Sequence, residues 1–217
     1  METGRPKINL SRLTVTESFS ALAAAAENGE EKIANLHIKN AEIDKGSFAK
    51  LQFTNMVFDH CRLIGCQMPR CSFTDVLFAN CDISNCSFAD STFTRCRFVN
   101  SKAMGTVFAD NLLRNFSVFG CNFQYAGFGG CRLQQAELEE CDLSNASFAE
   151  ASIKNLALTN VKLAGTSFYN TPLKGTDLSR CNLEGIGVAA QCKELEGTTM
   201  DILQLTELAA LLGITLK

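Results

Sequence analysis

The sequence predicts a repeat solenoid, a coil that turns a corner every five residues. Two observations predict it. Every fifth residue from Ile33 to Val188 is apolar, thirty-two positions in one unbroken frame. The position two before each of these is mostly small or thin, and ten of the eleven cysteines occupy it, Cys192 alone lying outside. A period of five fits neither an α-helix, at 3.6, nor a strand, at 2. It points two residues of each five inward, one large and one small, and repetition stacks them into columns.

The segment 1–30 precedes the frame. Thr14 and Glu17 have capping-box spacing, with Thr16 as an alternative N-cap. The run Thr14–Gly29 therefore reads as a helix, stopped by Asn28-Gly29. Phe19, Leu22, Ala23 and Ala26 make one apolar stripe, fit to cover the first coil. Ile8 and Leu13 lie in the frame of five and extend it towards the N-terminus.

Residues 31–190 are the repeat region. Sixteen phenylalanines against two tyrosines point to large inward slots that reject a hydroxyl. Asn, Asp and Gly recur two places after the large residue, as at Asn80, Asn85, Asp90, Gly165 and Gly185, where they suit turn dihedrals. One stretch, 101–120, breaks the pattern: Asn111 and Phe116 fill small slots and Ala103 a large one. Local compensation of volume explains this, with a bend in the rod as the alternative.

The repeats CDISN (81–85), CDLSN (141–145), TDLSR (176–180) and CNLEG (181–185) resemble the pentapeptide repeat family over roughly 31–190. The resemblance implies an all-β solenoid: a right-handed quadrilateral β-helix with four repeats per coil and about eight coils. It carries an N-terminal helix and a C-terminal capping and dimerisation helix. Residues twenty apart then stack on one face. The column Phe48, Met68, Phe88, Phe108, Phe128, Phe148, Phe168, Val188 would fill the bore. The cysteines would be spread around it as small hydrophobes, not gathered as a disulfide or metal framework.

Residues 191–217 form the C-terminal cap. Asp201 or Thr199 can start a helix running to about Leu212, stopped by Gly213. Leu205, Leu208, Ala209 and Leu212 form a stripe suited to cover the last coil. Ile202, Leu211, Ile214 and Leu216 are left over, and they serve either a two-sided cap or a dimer interface.

The chain carries 20 Lys+Arg against 23 Asp+Glu, so no broad basic footprint argues for direct nucleic-acid binding. No apolar run spans a membrane, and METGRPKINL lacks the apolar core of a secretory signal, which gives a cytoplasmic expectation. The two histidines, His37 and His60, lie near no recognisable triad or metal motif, and no phosphate loop or nucleophile elbow appears. The expectation is a non-enzymatic protein with no catalytic residues, metal or cofactor, acting through its outer surface. The dense acidic run Glu137, Glu139, Glu140 and Asp142 is a candidate partner contact or a solvated face.

The ending LTELAALLGITLK is similar to that of Qnr-type members of the family. Those members look like duplex DNA. They are homodimers that bind DNA gyrase and topoisomerase IV and protect them from quinolones, hence their role in antibiotic resistance. The unbroken frame leaves out the long loops that some of them project. The resemblance thus implies a DNA mimic for a type II topoisomerase. The alternative is a protein-interaction scaffold for an unrelated partner, with Val57, Leu77, Val107, Leu112 and Phe119 as outward apolar positions. A thiol-based redox or metal protein is a third, remote reading.

Overall fold

The computed structural model describes residues 4–20, 22, 24 and 32–209. The frame of five becomes a β-solenoid. One residue in each repeat from Asn35 to Gly175 takes a left-handed backbone, for instance Asn80, Asn85, Asp90 and Arg95 at φ 55°, 57°, 58° and 52°. Four such corners close each twenty-residue coil. Asn and Asp adopt this geometry more readily than other side chains. Gly165 (φ +67°) is more constrained, because a Cβ there would lie 2.6 Å from Asn145 Oδ1 on the preceding coil.

Half of each coil is a parallel ladder. Strands β1 (Thr14–Thr16), β2 (Lys32–Ala34), β3 (Leu36–Lys39) and β4 (Glu42–Asp44) start the rod. Strands β5 (Gln52–Asp59), β6 (Arg62–Ile64), β7 (Ser72–Ala79), β8 (Thr92–Val99), β9 (Leu112–Phe119), β10 (Arg132–Glu139) and β11 (Ser152–Thr159) continue it. Phe53 faces Phe73, then Phe93, Leu113, Leu133 and Ile153, each step twenty residues. The other half closes mainly through turns and single parallel bridges, such as Arg62↔Asp82 and Gln67↔Ser87. The ladder makes about seven turns rather than the expected eight. The repeats after residue 170 form turns without a strand. The coil there is closed by residues 193–199, which pair out of frame: Leu173 N donates to Glu194 O and Gly175 N to Gly197 O.

The large inward residues stack as phenylalanine columns. Ring centroids are 4.7 Å apart for Phe53–Phe73 and 4.5 Å for Phe73–Phe93. The expected column through the rod runs Phe88, Phe108, Phe128, Phe148 and Phe168 at 5.3, 5.0, 4.6 and 5.2 Å. Phe48 and Met68 are buried below it, whereas Val188 is only half-buried. The irregular coil compensates in place: Phe116, buried, packs 5.4 Å from Phe98, Ala103 is buried too, and the register Cys96↔Phe116↔Ala136 passes through unbroken.

The small slots do more than fill space. Their side chains donate to a carbonyl twenty-three residues earlier: Thr106 Oγ1 to Ile83 O (2.7 Å), Thr166 Oγ1 to Leu143 O (2.8 Å), Cys131 Sγ to Phe108 O (2.8 Å). This accounts for Cys, Ser and Thr at these slots, while Ala126, Ala136 and Ala146 fill them by size alone.

At the N-terminal end the structure corrects the sequence reading. Thr14–Thr16 is a strand, with Thr14 N donating to Asn35 O at 2.9 Å. Two threonines around a valine favour extended backbone, and the open edge of the first coil supplies partners. Thr14 pairs with Leu36, twenty-two residues on, so Ile8 and Leu13 do not extend the frame. Helical backbone appears at Ser20, Leu22 and Ala24; Phe19 and Leu22 cover the first coil as expected, while Ala23, Ala26 and Asn28-Gly29 lie outside the described residues.

At the other end, helix α1 (Ile202–Ala209) is capped by Asp201, whose Oδ1 accepts from Gln204 N (2.8 Å) while its own N–H donates to Gln204 Oε1 (2.9 Å). The covering face is Gln204, Leu208 and Ala209, all buried; Leu205, expected there, is exposed. Gln204 is preferred because the final coil ends in open carbonyls. Its Nε2 donates to Leu178 O and Cys181 O, both at 2.7 Å.

Candidate interaction surface

Among the described residues the bore is filled by side chains. Ten cysteines are buried and Cys192 is partly exposed. Burial pushes the thiols of Cys96, Cys121 and Cys131 up to about 12, and those of Cys71 and Cys141 up to about 11. Among the described residues, no group of three His, Cys, Asp or Glu side chains converges as a metal site. The coil does bring both histidines to one carboxylate, which the separate positions did not announce. Asp59 Oδ1 lies 2.7 Å from His60 Nδ1, and Asp59 Oδ2 lies 3.5 Å from His37 Nε2. The twenty-residue frame would have revealed it, since His37 stacks beneath Val57 on the strand that ends at Asp59.

The acidic run does not form one patch. Glu137 and Glu139 share the outward side of β10, and Glu140 occupies the next corner at φ 53°. Asp142 lies around that corner, on a face with an alternating column Glu42, Arg62, Asp82, Lys102, Asn122, Asp142, Lys162. There it accepts from Ser144 N (3.0 Å) and Gln124 Nε2 (3.1 Å), with Lys162 Nζ at 3.9 Å. That column neutralises itself, so the acidic surface narrows to Glu137, Glu139 and Glu140.

The N-terminal segment lies along the neighbouring corner column. Lys7 N donates to Asp75 Oδ1 (2.8 Å) and Asn9 N to Asn55 Oδ1 (2.7 Å), one coil apart, and Gly4 lies against Asn115. The Asn55 side-chain amide in turn donates to Asn35 Oδ1 at 2.7 Å and to Asn9 O at 3.5 Å. Asp75 is gripped at 2.7 Å by both Nε and Nη2 of Arg95. Burial alone would raise the Asp75 carboxyl, but Arg95 and the Lys7 N–H hold it below its ordinary value. Arg5 closes a small recess whose other walls include Arg97, Ser117, Glu137 and Glu139.

Large apolar side chains are exposed towards both ends, Leu10 and Val15 at the N-terminal end and Ile202, Leu203 and Leu205 at the C-terminal end. Ile202, Leu203 and Leu205 are 80%, 73% and 56% exposed. Among the described residues β11 pairs with β10 alone, and its inward Ile153 and Leu156 are half-buried. Of the expected interface residues, Ile202 is thus outward, and Leu211, Ile214 and Leu216 lie outside the described residues, as does Leu212. Val57, expected outward, is buried; Val107 is exposed, and Leu77, Leu112 and Phe119 are half-buried. No helix among the described residues is long and apolar enough to cross a membrane.

Among the described residues, a filled bore, left-handed corners and parallel ladders define a repeat β-solenoid. A family model for the pentapeptide repeat region matches residues 71–140 and 117–188, and the chain belongs to the pentapeptide repeat family. Among solved structures, it is similar to two trypsin-treated variants of QnrB1, a plasmid-mediated fluoroquinolone resistance protein. One shows 22% identity over 86% of this chain and 90% of that chain, with a TM-score of 0.44. The other shows 20% identity over 86% and 95%, with a TM-score of 0.47. HetL, a pentapeptide repeat protein involved in heterocyst differentiation regulation in the cyanobacterium Nostoc sp. strain PCC 7120, shows 15% identity over 86% and 94%, with a TM-score of 0.37. No curated protein matches the sequence.

Proposed function

We propose that this protein is a non-enzymatic mimic of duplex DNA that binds type II topoisomerases, DNA gyrase or topoisomerase IV, and shields them from quinolone-type poisons. The observation that carries this reading is the filled rod itself, which among the described residues offers a partner its outer shape and charge. Two further features support it. The acidic side chains Glu137, Glu139 and Glu140 stand outward on one strand and its corner. The exposed Ile202, Leu203 and Leu205 provide an apolar end through which two rods join as a homodimer. Seven turns at about 4.8 Å make a rod of about 34 Å. Two joined rods, about 67 Å, match about 20 base pairs of B-DNA at 3.4 Å each. Purified protein in a gyrase supercoiling assay, with and without a quinolone, tests the proposal. Restored supercoiling in the presence of drug is expected. No effect on gyrase or topoisomerase IV would reject it.

A second reading, a scaffold for an unrelated partner, is favoured by the self-neutralised face and by Tyr125 and Tyr169, 61% and 50% exposed. Aromatic side chains at such positions suit protein contacts better than mimicry of a phosphate backbone.

A further inference from the structure

The N-terminal segment is extended, and its exposure alternates with period two. Gly4, Pro6 and Ile8 face the rod and are half-buried, whereas Arg5, Lys7 and Asn9 are exposed. Backbone N–H groups donating to Asp75 and Asn55 set its register, and Arg5 at the recess with Glu137 and Glu139 is where its charge is met. Three features mark it as removable. None of its residues is fully buried. Asp75 and Asn55 keep Arg95 and Asn35 as partners without it. With the segment in place, Arg97 Nε and Ser117 Oγ are buried beside Arg5 and find no protein hydrogen-bond partner. The fit is therefore incomplete, as such desolvated groups oppose the contact. Charge is complementary in one sense: the segment brings Arg5 to the recess walled by Glu137 and Glu139.

We propose that this corner column is a docking surface for an extended basic segment of a partner protein, and that Gly4–Asn9 is an internal stand-in that such a segment displaces. The proposal shares with the reading above a partner that presents basic groups, but it does not require that partner to be a topoisomerase. Displacement would widen access to Glu137 and Glu139, which are half-buried with the segment in place.

The test uses the full chain and a fluorescein-labelled peptide, GRPKINLSR, followed by fluorescence anisotropy. Ile8→Asp places a charge against the rod and detaches the segment; Lys7→Pro detaches it differently, by removing the N–H that Asp75 accepts. The peptide is expected to bind both variants at least ten-fold more tightly than wild type. Adding Glu137→Gln and Glu139→Gln to Ile8→Asp should weaken binding at least three-fold, and a charge-reversed peptide, GEPEINLSE, should not bind. Equal binding to wild type and both variants, or to both peptides, would overturn the proposal. So would unfolding of both variants by circular dichroism, which would make the segment part of the fold. Doubling of mass in the detached variants would assign the surface to a second copy instead. A rod that binds the peptide yet fails to protect a topoisomerase would keep this surface and remove only the topoisomerase reading.

Discussion

At the scale of single residues, the repeat assigns two unlike tasks to its inward positions. The large slot stacks rings: Phe128 is 2% exposed and lies 5.0 Å from Phe108 and 4.6 Å from Phe148. Phe128→Ala should cost about 3–5 kcal/mol in denaturant melts, since neighbours fixed by the backbone ladder cannot collapse into the gap. A cost under about 1 kcal/mol would mean that the column is not the core. The small slot donates a hydrogen bond, and its burial favours the neutral thiol except at Cys61 and Cys66, whose thiols are lowered by hydrogen bonds with Cys81 and Cys86. Burial raises five of these thiols to about 11 or 12, above the ordinary value of about 8.5. Between those values an unfolded chain loses protons that the folded chain retains. Their contribution is therefore complete below about pH 8.5 and is lost as pH rises towards 11–12. Thermal melts should show the midpoint falling steadily above pH 9; a midpoint flat to pH 11 would contradict this burial.

At the scale of elements, the ends differ from the middle. An interior coil finds partners above and below, whereas a terminal coil must be supplied with them. Gln204 does this for Leu178 O and Cys181 O while completing the cap with Asp201. Gln204→Leu keeps the volume and removes the donors, leaving two carbonyls without this partner. It should destabilise the protein by about 2 kcal/mol and fray α1, seen as lost helical circular dichroism. Gln204→Glu should be worse, because the carboxylate would face those carbonyl oxygens. An unchanged melt for both would show that the cap contributes nothing. Reading the stripe from apolar residues alone chose Leu205 for this face; hydrogen-bond demand at the coil end chose Gln204.

At the scale of the whole molecule, the C-terminal end of the rod exposes Ile202, Leu203 and Leu205. Ile202→Glu with Leu205→Glu alters exposed positions, so the fold should survive. If two rods meet there, two desolvated carboxylates per chain would oppose the joint. Light scattering should then give twice the chain mass for wild type and the single chain mass for the variant. A wild-type monomer, or a variant that stays dimeric, would remove the end-to-end joint. Protection of gyrase should fall with the dimer, because half the rod offers half the contact length.

How much of this was legible follows from what repeats. Phe88, Phe128 and Cys131 could be placed from the sequence alone, because a constant period makes every coil the environment of the next and local spacing equals spatial stacking. The same regularity located the left-handed corners at Asn80, Asn85 and Gly165. Where the period ends, local pattern no longer reports neighbours. Thr14–Thr16 carried a helix-start signature yet became a strand, because the open edge of the first coil supplied hydrogen bonds that outweigh a cap. The acidic run Glu137–Asp142 is continuous in sequence, but a corner at Glu140 divides it and the charge column claims Asp142. The histidines meet at Asp59, and Lys7 reaches Asp75, only because coiling brings distant residues within hydrogen-bond range. The sequence by itself determined the coil, its core and its corners, through repetition. The tertiary structure alone decided the ends and the outward surface, where contacts form between residues that no period relates.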